Sequence, residues 1–214
     1  MSLRVYPQAK VELVLPRRAS EFAGAAFLQA KQQWIERVVS SQKKRDAVQK
    51  PILCADGASI SCFGDSLTLS LIYRADRKRS TVEVRGASLV VHAKNLQAAQ
   101  RALKTWYQKE ALSYFIGQAQ EYAQVLGVSI ATIRAIDMKT QWGSCNKRSR
   151  ALTFNWKLAL GPEEIARYVV AHEVAHLVEA NHSKAFWSVV RKIDPGYATH
   201  KKWLKEFGGG LTII

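Results

Sequence analysis

The segment that most constrains the fold is GPEEIARYVVAHEVAHLVEANH, which begins at residue 161 and sets charged and imidazole side chains within an apolar helical pattern. The apolar positions cover most of the helix circumference, and they are Ile165, Val169, Val170, Val174, Leu177 and Val178. Such a pattern predicts a helix that is buried on nearly every side. Because an unpaired Glu173 would be costly in that setting, the segment needs a partner for its polar groups.

A metal ion is the partner that the spacing favours. His172 and His176 are four residues apart, so on a helix they project about 40° from one another and can bind one metal. Glu173 follows the first histidine and can accept a proton from a water molecule that the metal activates. Two alternatives are a structural metal and a buried helix whose histidines are only hydrogen-bonded.

A third histidine completes the predicted ligand set. His182 follows His176 by six residues, so on a continuing helix it would lie about 240° around the axis and face away. We therefore expect the chain to turn after Ala180, with Asn181 in the left-handed conformation that ends helices and Ser183 capping the next helix. Three histidines with an open fourth position predict a catalytic zinc site, with one zinc per chain.

Metzincins share the His-x5-His spacing, but two features exclude them. They have glycine in the middle of that spacing, where this chain has Glu179. They also need a methionine turn downstream, and the only methionines are Met1 and Met138.

The remaining periodicity predicts an α+β fold, in which a small mixed or antiparallel sheet lobe packs on a zincin-like helical core that carries the HExxH helix. We predict strands over 10–16, a meander of strands over 59–92, further strands over 132–156, and helices over 20–43, 95–124, 183–193 and 198–207. Residues 1–94 would form a strand-rich lobe with one helix, and residues 95–214 the metallohydrolase core. Together they would form one compact unit.

Charge and cysteine content bound the partners and the compartment. Lys and Arg number 32 against 17 Asp and Glu, which gives a net charge of +15. That charge favours polyanions such as nucleic acid or nucleotides, although it could serve solubility alone. Cys54, Cys62 and Cys145 lack a zinc-finger spacing. No segment approaches the ~20 apolar residues of a membrane span, and no signal peptide is recognisable, so we predict a cytoplasmic location and no membrane partner.

Several motifs give the chain a family resemblance. They are W-G-S-C from residue 142, L-T-F-N-W from 152, H-E-x-A-H-L from 172, N-H-S-x-x-F-W from 181 and KKWLKEFG from 201. With them the chain resembles the YgjP-like metallopeptidase family, relatives of the SprT and WLM zinc proteases. The resemblance covers residues 131–208 closely and the amino-terminal strands and helix more loosely.

The resemblance implies zinc on His172, His176 and His182, with Glu173 as the general base. It also implies that the QWGSC strand borders the cleft, which makes Trp142, Gly143 and Ser144 candidate substrate-binding residues. Many relatives have arginine before W-G-S-C, where this chain has Gln141, and an acidic residue near Ala166. Both departures bear on substrate preference and leave the metal site intact.

We predict zinc-dependent hydrolysis of peptide bonds, with a peptide or protein as substrate. Two alternatives stay open: a nucleoside triphosphate pyrophosphatase that uses the same zinc site, and a protease recruited by nucleic acid. Lys147, Arg148 and Arg150 would then bind phosphate, or they could stabilise an oxyanion. A solvated basic loop is the alternative interpretation of these three residues.

Other side chains are assigned structural roles. Cys145 could be a nucleophile, but a small buried strand residue is the better interpretation, because a catalytic cysteine needs its own histidine. We expect His92 to be structural and His200 to lie at the surface. Phe186 and Trp187 have the spacing of core residues and need no functional role.

Overall fold

The computed structural model of the chain describes residues 1–5, 11–16, 19–48 and 53–213. It contains two compact units, Met1–Lys50 and Pro51–Ile214. Six α-helices and nine strands in the described residues make the fold α+β, as predicted. The predicted boundary after residue 94 lies inside the second unit and stays a prediction.

The first unit contains a strand pair and two helices. Strands β1 (Ser2–Val5) and β2 (Val11–Val14) are antiparallel. Helices α1 (Glu21–Ala30) and α2 (Gln32–Val48) follow. Strand β2 confirms the strand predicted over 10–16, of which residue 10 lies outside the described residues.

The single helix predicted over 20–43 is wrong. Its start is as expected, because the Ser20 hydroxyl accepts a hydrogen bond from the Ala23 amide at 3.2 Å and so caps α1. The backbone leaves the helical conformation at Lys31, where φ is −105° and ψ is 5°. No proline or glycine stands at this break, so the sequence carries no local signal for it.

A four-stranded mixed sheet opens the second unit. Its strands are β3 (Ser59–Cys62), β4 (Asp65–Tyr73), β5 (Thr81–Arg85) and β6 (Ser88–Ala93). They lie in the order β3-β4-β6-β5. Strands β4 and β6 are parallel, and the other two neighbouring pairs are antiparallel.

The predicted meander is wrong in one pairing, because a meander would set β5 beside β4. Strand β6 takes that place since Leu89, Val90 and Val91 are all buried, as in a strand covered on both faces. Strand β5 lies at the edge, where Val84 is 54% exposed. A turn at Phe63 and Gly64, both with positive φ, joins β3 to β4.

The long helix α3 (Leu96–Leu126) confirms the helix predicted over 95–124. Asn95 caps its start by accepting a hydrogen bond from the Ala98 amide at 2.9 Å. Gly127 ends it in the left-handed conformation, with φ 65°, which glycine adopts without a steric penalty. Its fully buried face includes Ala99, Leu103, Tyr107, Ala111, Phe115 and Ala119.

A second sheet and three helices complete the unit. Strands β7 (Thr132–Ile136), β8 (Gly143–Asn146) and β9 (Ala151–Asn155) lie in the order β7-β9-β8, which leaves β8 at an edge. A 3-10 turn, Trp156–Leu160, follows β9. The helices are α4 (Glu163–Val178), α5 (Lys184–Ile193) and α6 (Tyr197–Phe207), all three as predicted. Helix α4 packs against α3, β8, α5 and α6.

The three cysteines are free thiols. Burial raises the pKa of Cys62 to about 12 and, with the nearby Glu173 charge adding to the effect, the pKa of Cys145 to about 11. Both thiols are therefore protonated at neutral pH, which argues against Cys145 as a nucleophile. None of the helices in the described ranges is long and apolar enough to cross a membrane.

Phe115 provides a test of the core. Its ring is fully buried and lies 4.7 Å from that of Phe154 on β9 and 6.4 Å from that of Phe63 beside the four-stranded sheet. We expect Phe115→Ala to lower the free energy of unfolding by about 3–5 kcal/mol, because it removes packing on both sides. Gln120→Ala, at an exposed position of the same helix, should cost well under that. Urea unfolding followed by circular dichroism compares the two, and equal losses would contradict this packing.

Candidate metal centre

Three histidines converge at the end of α4. His172 and His176 lie on consecutive turns of the helix, and His182 lies in the segment that follows. Their possible ligand nitrogens are all within 4.8 Å of one another. The Nε2 atoms of His172 and His182 are 3.0 Å apart. A tetrahedral zinc with bonds of about 2.0–2.1 Å separates its nitrogen ligands by roughly 3.3 Å, so the three rings fit such an ion after a small adjustment.

The chain turns earlier than predicted. Helix α4 ends at Val178, and Glu179 already has an extended backbone, with φ −122° and ψ 118°. The expected left-handed Asn181 is wrong, since Phe63 and Arg150 are the non-glycine residues with positive φ in the described ranges. An extended exit makes the turn without left-handed backbone. Ser183 caps α5 as predicted, and its hydroxyl accepts from the Phe186 amide at 3.2 Å.

The charge state of the imidazoles suits a metal. Burial, with the neighbouring His176 and His182 adding to the effect, lowers the pKa of His172 to about 3. Burial also lowers the pKa of His176. Both rings are therefore neutral at pH 7, as metal ligation requires. Nδ1 of His176 donates to the Glu179 carbonyl at 3.2 Å, which leaves its Nε2 lone pair free for a metal.

Aromatic rings support the histidines from α5. The Phe186 ring is fully buried, and its centroid lies 4.9 Å from His172, 4.4 Å from His176 and 4.8 Å from His182. Trp187 stacks on His182 at 5.8 Å. Nδ1 of His172 is buried without a hydrogen-bond partner in the described part of the chain, so packing against Phe186 orients this ring. The assignment of Phe186 and Trp187 to the core alone missed this contact with the ligand set.

Glu173 lies beside the histidines, and its side chain occupies space that is open because residue 143 is glycine. Its side chain is on α4 and only 6% exposed. A Cβ atom at Gly143, the first residue of β8, would lie 2.7 Å from its Cγ and 2.8 Å from its Oε1. Burial raises the pKa of the Glu173 carboxyl to about 8. Because Gly143 has no side chain, strand β8 and helix α4 can approach each other closely with the Glu173 carboxyl group between them.

A cavity of about 420 Å³ separates β8 from the three histidines. Gly143, Ser144, Cys145 and Lys147 line one side of it, and Glu173 lies at its wall. Of the candidate substrate residues, Gly143, Ser144 and Lys147 thus border the cavity.

The other three candidate substrate residues lie elsewhere. Trp142 is partly buried, and its ring approaches Gly208 to within 3.1 Å of where a Cβ would stand. Arg148 and Arg150 do not line the cavity, and Arg150 donates to the Ser129 hydroxyl. Lys147 lines the cavity, but its ammonium group donates a hydrogen bond to the Val178 carbonyl at 2.8 Å and so caps the end of α4.

His200 is not at the surface as expected. Its Nδ1 is 3.0 Å from Oδ2 of Asp194, and the two side chains are 16% and 4% exposed. The ring also lies over Gly196, where a Cβ would approach it to 2.7 Å. An aspartate that follows an amphipathic helix is easily interpreted as exposed, so this pairing of a partly buried histidine with a buried aspartate could not be predicted from the sequence.

Known proteins resemble the chain as follows. The family model for YgjP-like metallopeptidase domains matches residues 1–207. The metallopeptidase zymogen abylysin of Pyrococcus abyssi is 20% identical over 47% of this chain and 99% of its own, with a TM-score of 0.40. The zymogen jannalysin of Methanocaldococcus jannaschii is 22% identical over 42% of this chain and 95% of its own, with a TM-score of 0.37. No curated protein matches the sequence.

Metal content tests the ligand set. We expect the protein, after dialysis against zinc and removal of the excess, to retain one equivalent of zinc. His176→Ala should lose most of it, because two nitrogens remain where three are needed. His92→Ala is the matched control, since His92 lies on β6 outside the cavity. Elemental analysis of the folded proteins measures the zinc content, and equal zinc in the two variants would contradict the assignment of the ligands.

Proposed function

The chain belongs to the YgjP-like family of metallopeptidase domains, and on that premise we propose that it hydrolyses peptide bonds with zinc held by His172, His176 and His182. Membership makes it a metallohydrolase that acts on proteins or peptides. The observation that carries the proposal is the group of three histidine nitrogens within 4.8 Å, next to a buried glutamate. A cytoplasmic location and a single zinc per chain stay predictions.

The histidines are suited to hold the zinc ion because their rings are neutral and offer lone pairs to it. Their lowered pKa values keep His172 and His176 neutral at pH 7, and Phe186 fixes the directions of all three rings. When bound, zinc polarises a carbonyl group and lowers the pKa of water to about 7. The exposed side of His182 leaves the site open toward the cavity, where a substrate carbonyl can enter.

We assign Glu173 the role of general base. Its carboxyl group lines the same cavity as the three histidines and makes no hydrogen bond or ion pair with a described residue. Burial raises its pKa to about 8, and the positive charge of a zinc ion held by the histidines would lower that pKa again, so that the group could take a proton at pH 7. In this role it removes a proton from the attacking water and returns it to the leaving amine nitrogen. The wall formed by Gly143 limits the directions in which the carboxylate can turn.

Strand β8 supports a peptide as the substrate. It lies at the edge of its sheet, so one row of its backbone amides and carbonyls has no strand partner in the described ranges. It also borders the cavity through Gly143 and Ser144. An extended peptide can pair with such an edge, which would carry its backbone past Glu173 and the histidines.

The cavity gives less support to a nucleotide. A triphosphate needs several cationic donors, whereas Lys147 is the one lysine or arginine among the described residues that line this cavity. Its ammonium is already engaged by the Val178 carbonyl. Recruitment by nucleic acid rests on the net charge of +15 alone, without a feature at this cavity that favours it.

Glu173→Gln tests the base. We expect it to keep zinc and fold while hydrolysis of an unfolded protein falls roughly 100-fold or more, because only the proton acceptor is removed. Glu164→Gln makes the same chemical change at an exposed position of the same helix and should retain the parent rate. Parent activity in the Glu173 variant would show that the base has been misassigned. Hydrolysis of nucleoside triphosphates with no proteolysis would overturn the peptidase proposal itself.

Gly143→Ala tests the contact that positions the base. The added Cβ would meet the Glu173 side chain at 2.7 Å and must displace it. Since misplacing a catalytic group by about 1 Å can cost 100-fold, we expect a loss of roughly ten- to a hundredfold in kcat with zinc retained. Gly117→Ala is the control, because nothing lies within 4 Å of a Cβ there. An unchanged kcat in Gly143→Ala would contradict the proposed constraint.

A further inference from the structure

A second concave site lies between strand β5 and the first half of α3. It is a groove of about 680 Å³. Arg101, Thr105 and Lys109 line its helix side, and their four-residue spacing aligns them on one face of α3. Arg77 and Lys78, from the loop before β5, line the opposite side. None of these residues lines the cavity at the histidines.

The groove has an excess of positive charge, most of which is unpaired in the described part of the chain. Lys78, Arg101 and Lys109 make no ion pair with a carboxylate in the ranges that the structure describes. Five cationic side chains line the groove against two carboxylates, Glu83 and Glu110. Glu83 is already paired with Arg85 at 2.8 Å and lies 3.4 Å from His92, so Glu110 alone offsets the lining cations. The groove is therefore complementary to an anionic ligand.

The apolar side chains that line the groove form its floor. Ala98, Ala102 and Trp106 of α3 form one part of it, and Val82 and Val84 of β5 form the other. The two alanines leave space above the helix that larger side chains would fill. A ligand that fits must therefore present apolar groups to the floor and negative charge to the rims.

The strand beside the groove is open to pairing. Strand β5 is the last of its sheet, so one row of its backbone N–H and C=O groups has no strand partner among the described elements. Such an edge accepts an extended peptide as an additional strand. The helix side, from Arg101 to Lys109, spans about 12 Å at 1.5 Å per residue, which matches about four residues of extended chain.

We propose that this groove binds an extended acidic segment of polypeptide, which pairs with β5 as a fifth strand. Every second side chain of the segment points toward α3, where its methylene groups contact Ala98 and Ala102 and its carboxylate meets Arg101 or Lys109. Lys78 binds a further carboxylate of the segment. Single-stranded nucleic acid could use the same cations but would leave the strand edge and the alanine floor without a role. This inference rests on the proposed peptidase function in one respect, because the acidic segment is taken to belong to a protein substrate.

Binding to a defined peptide tests the groove directly. The probe is a fluorescent eight-residue peptide that alternates Glu and Val, measured by anisotropy with the Glu173→Gln chain so that no turnover occurs. We expect it to bind more tightly than a matched Lys-Val peptide and than a single-stranded oligodeoxynucleotide of equal charge. Lys78→Gln with Lys109→Gln should weaken binding at least tenfold. Lys192→Gln with Lys205→Gln removes the same charge from exposed helix positions outside the groove and should leave binding unchanged.

Backbone methylation tests the strand pairing. Alternate residues of a strand direct their N–H groups to the same side, so the peptide faces β5 with the amides of either its valines or its glutamates. Of two peptides, one N-methylated at valine and the other at glutamate, one should bind far more weakly. Equal binding of the two would contradict the additional strand.

The remaining outcomes separate this proposal from the peptidase proposal. The groove proposal is wrong if the two double lysine variants weaken binding equally, or if the Lys-Val peptide binds as tightly as the Glu-Val peptide. The cations of the groove would then only prevent the free strand edge from pairing with other chains. Tighter binding of the oligonucleotide would overturn the acidic peptide as the occupant. Cleavage of an unfolded protein by the parent chain is measured separately, so proteolysis without groove binding refutes the groove alone.

Discussion

The close contact between Gly143 and Glu173 determines how the rest of the site is built. A Cβ atom on residue 143 would overlap the Glu173 side chain at 2.7 Å, so any residue other than glycine here would displace that side chain or the strand. The contact sets the separation between the edge strand and the histidines, and with it the cavity of about 420 Å³. It also keeps the carboxylate buried, where it faces the same space as the three imidazoles. The W-G-S-C and H-E-x-x-H motifs are thus two halves of one packing arrangement.

The histidines depend on a different set of contacts. Helix α4 can supply His172 and His176 on its own, but His182 must be brought back by the chain beyond the helix. The Lys147 ammonium donates to the carbonyl of Val178 at the end of α4, and Ser183, which directly follows His182, caps the start of α5. Phe186 then contacts all three imidazoles. Because the ring of Phe186 is fully buried, movement of α5 would disturb the metal ligands and the core together.

Features set by local chemistry could be predicted from the sequence. The extent of α3 followed from its periodicity and from Gly127, and Ser183 was recognised as a cap because its role depends on the next three residues. The spacing of the histidines indicated a metal site since two ligands on one helix fix each other's geometry. Features set by distant partners could not be predicted. The parallel pairing of β4 with β6, the burial of His200 on Asp194 and the contacts of Phe186 with the imidazoles all depend on residues that are adjacent only in the folded chain.

In the proposed site, three histidines alone hold the metal while Glu173 stays free in the same cavity. X-ray absorption at the zinc edge of the zinc-loaded protein measures this most directly, because it reports which atoms surround the ion. We predict three imidazole nitrogens at about 2.0–2.1 Å and no sulfur neighbour. Cys145 lines the cavity as well, and a scatterer at about 2.3 Å would identify it as a ligand. A sulfur shell, or a spectrum that His176→Ala leaves unchanged, would contradict the assignment of the three histidines as the only protein ligands of the zinc.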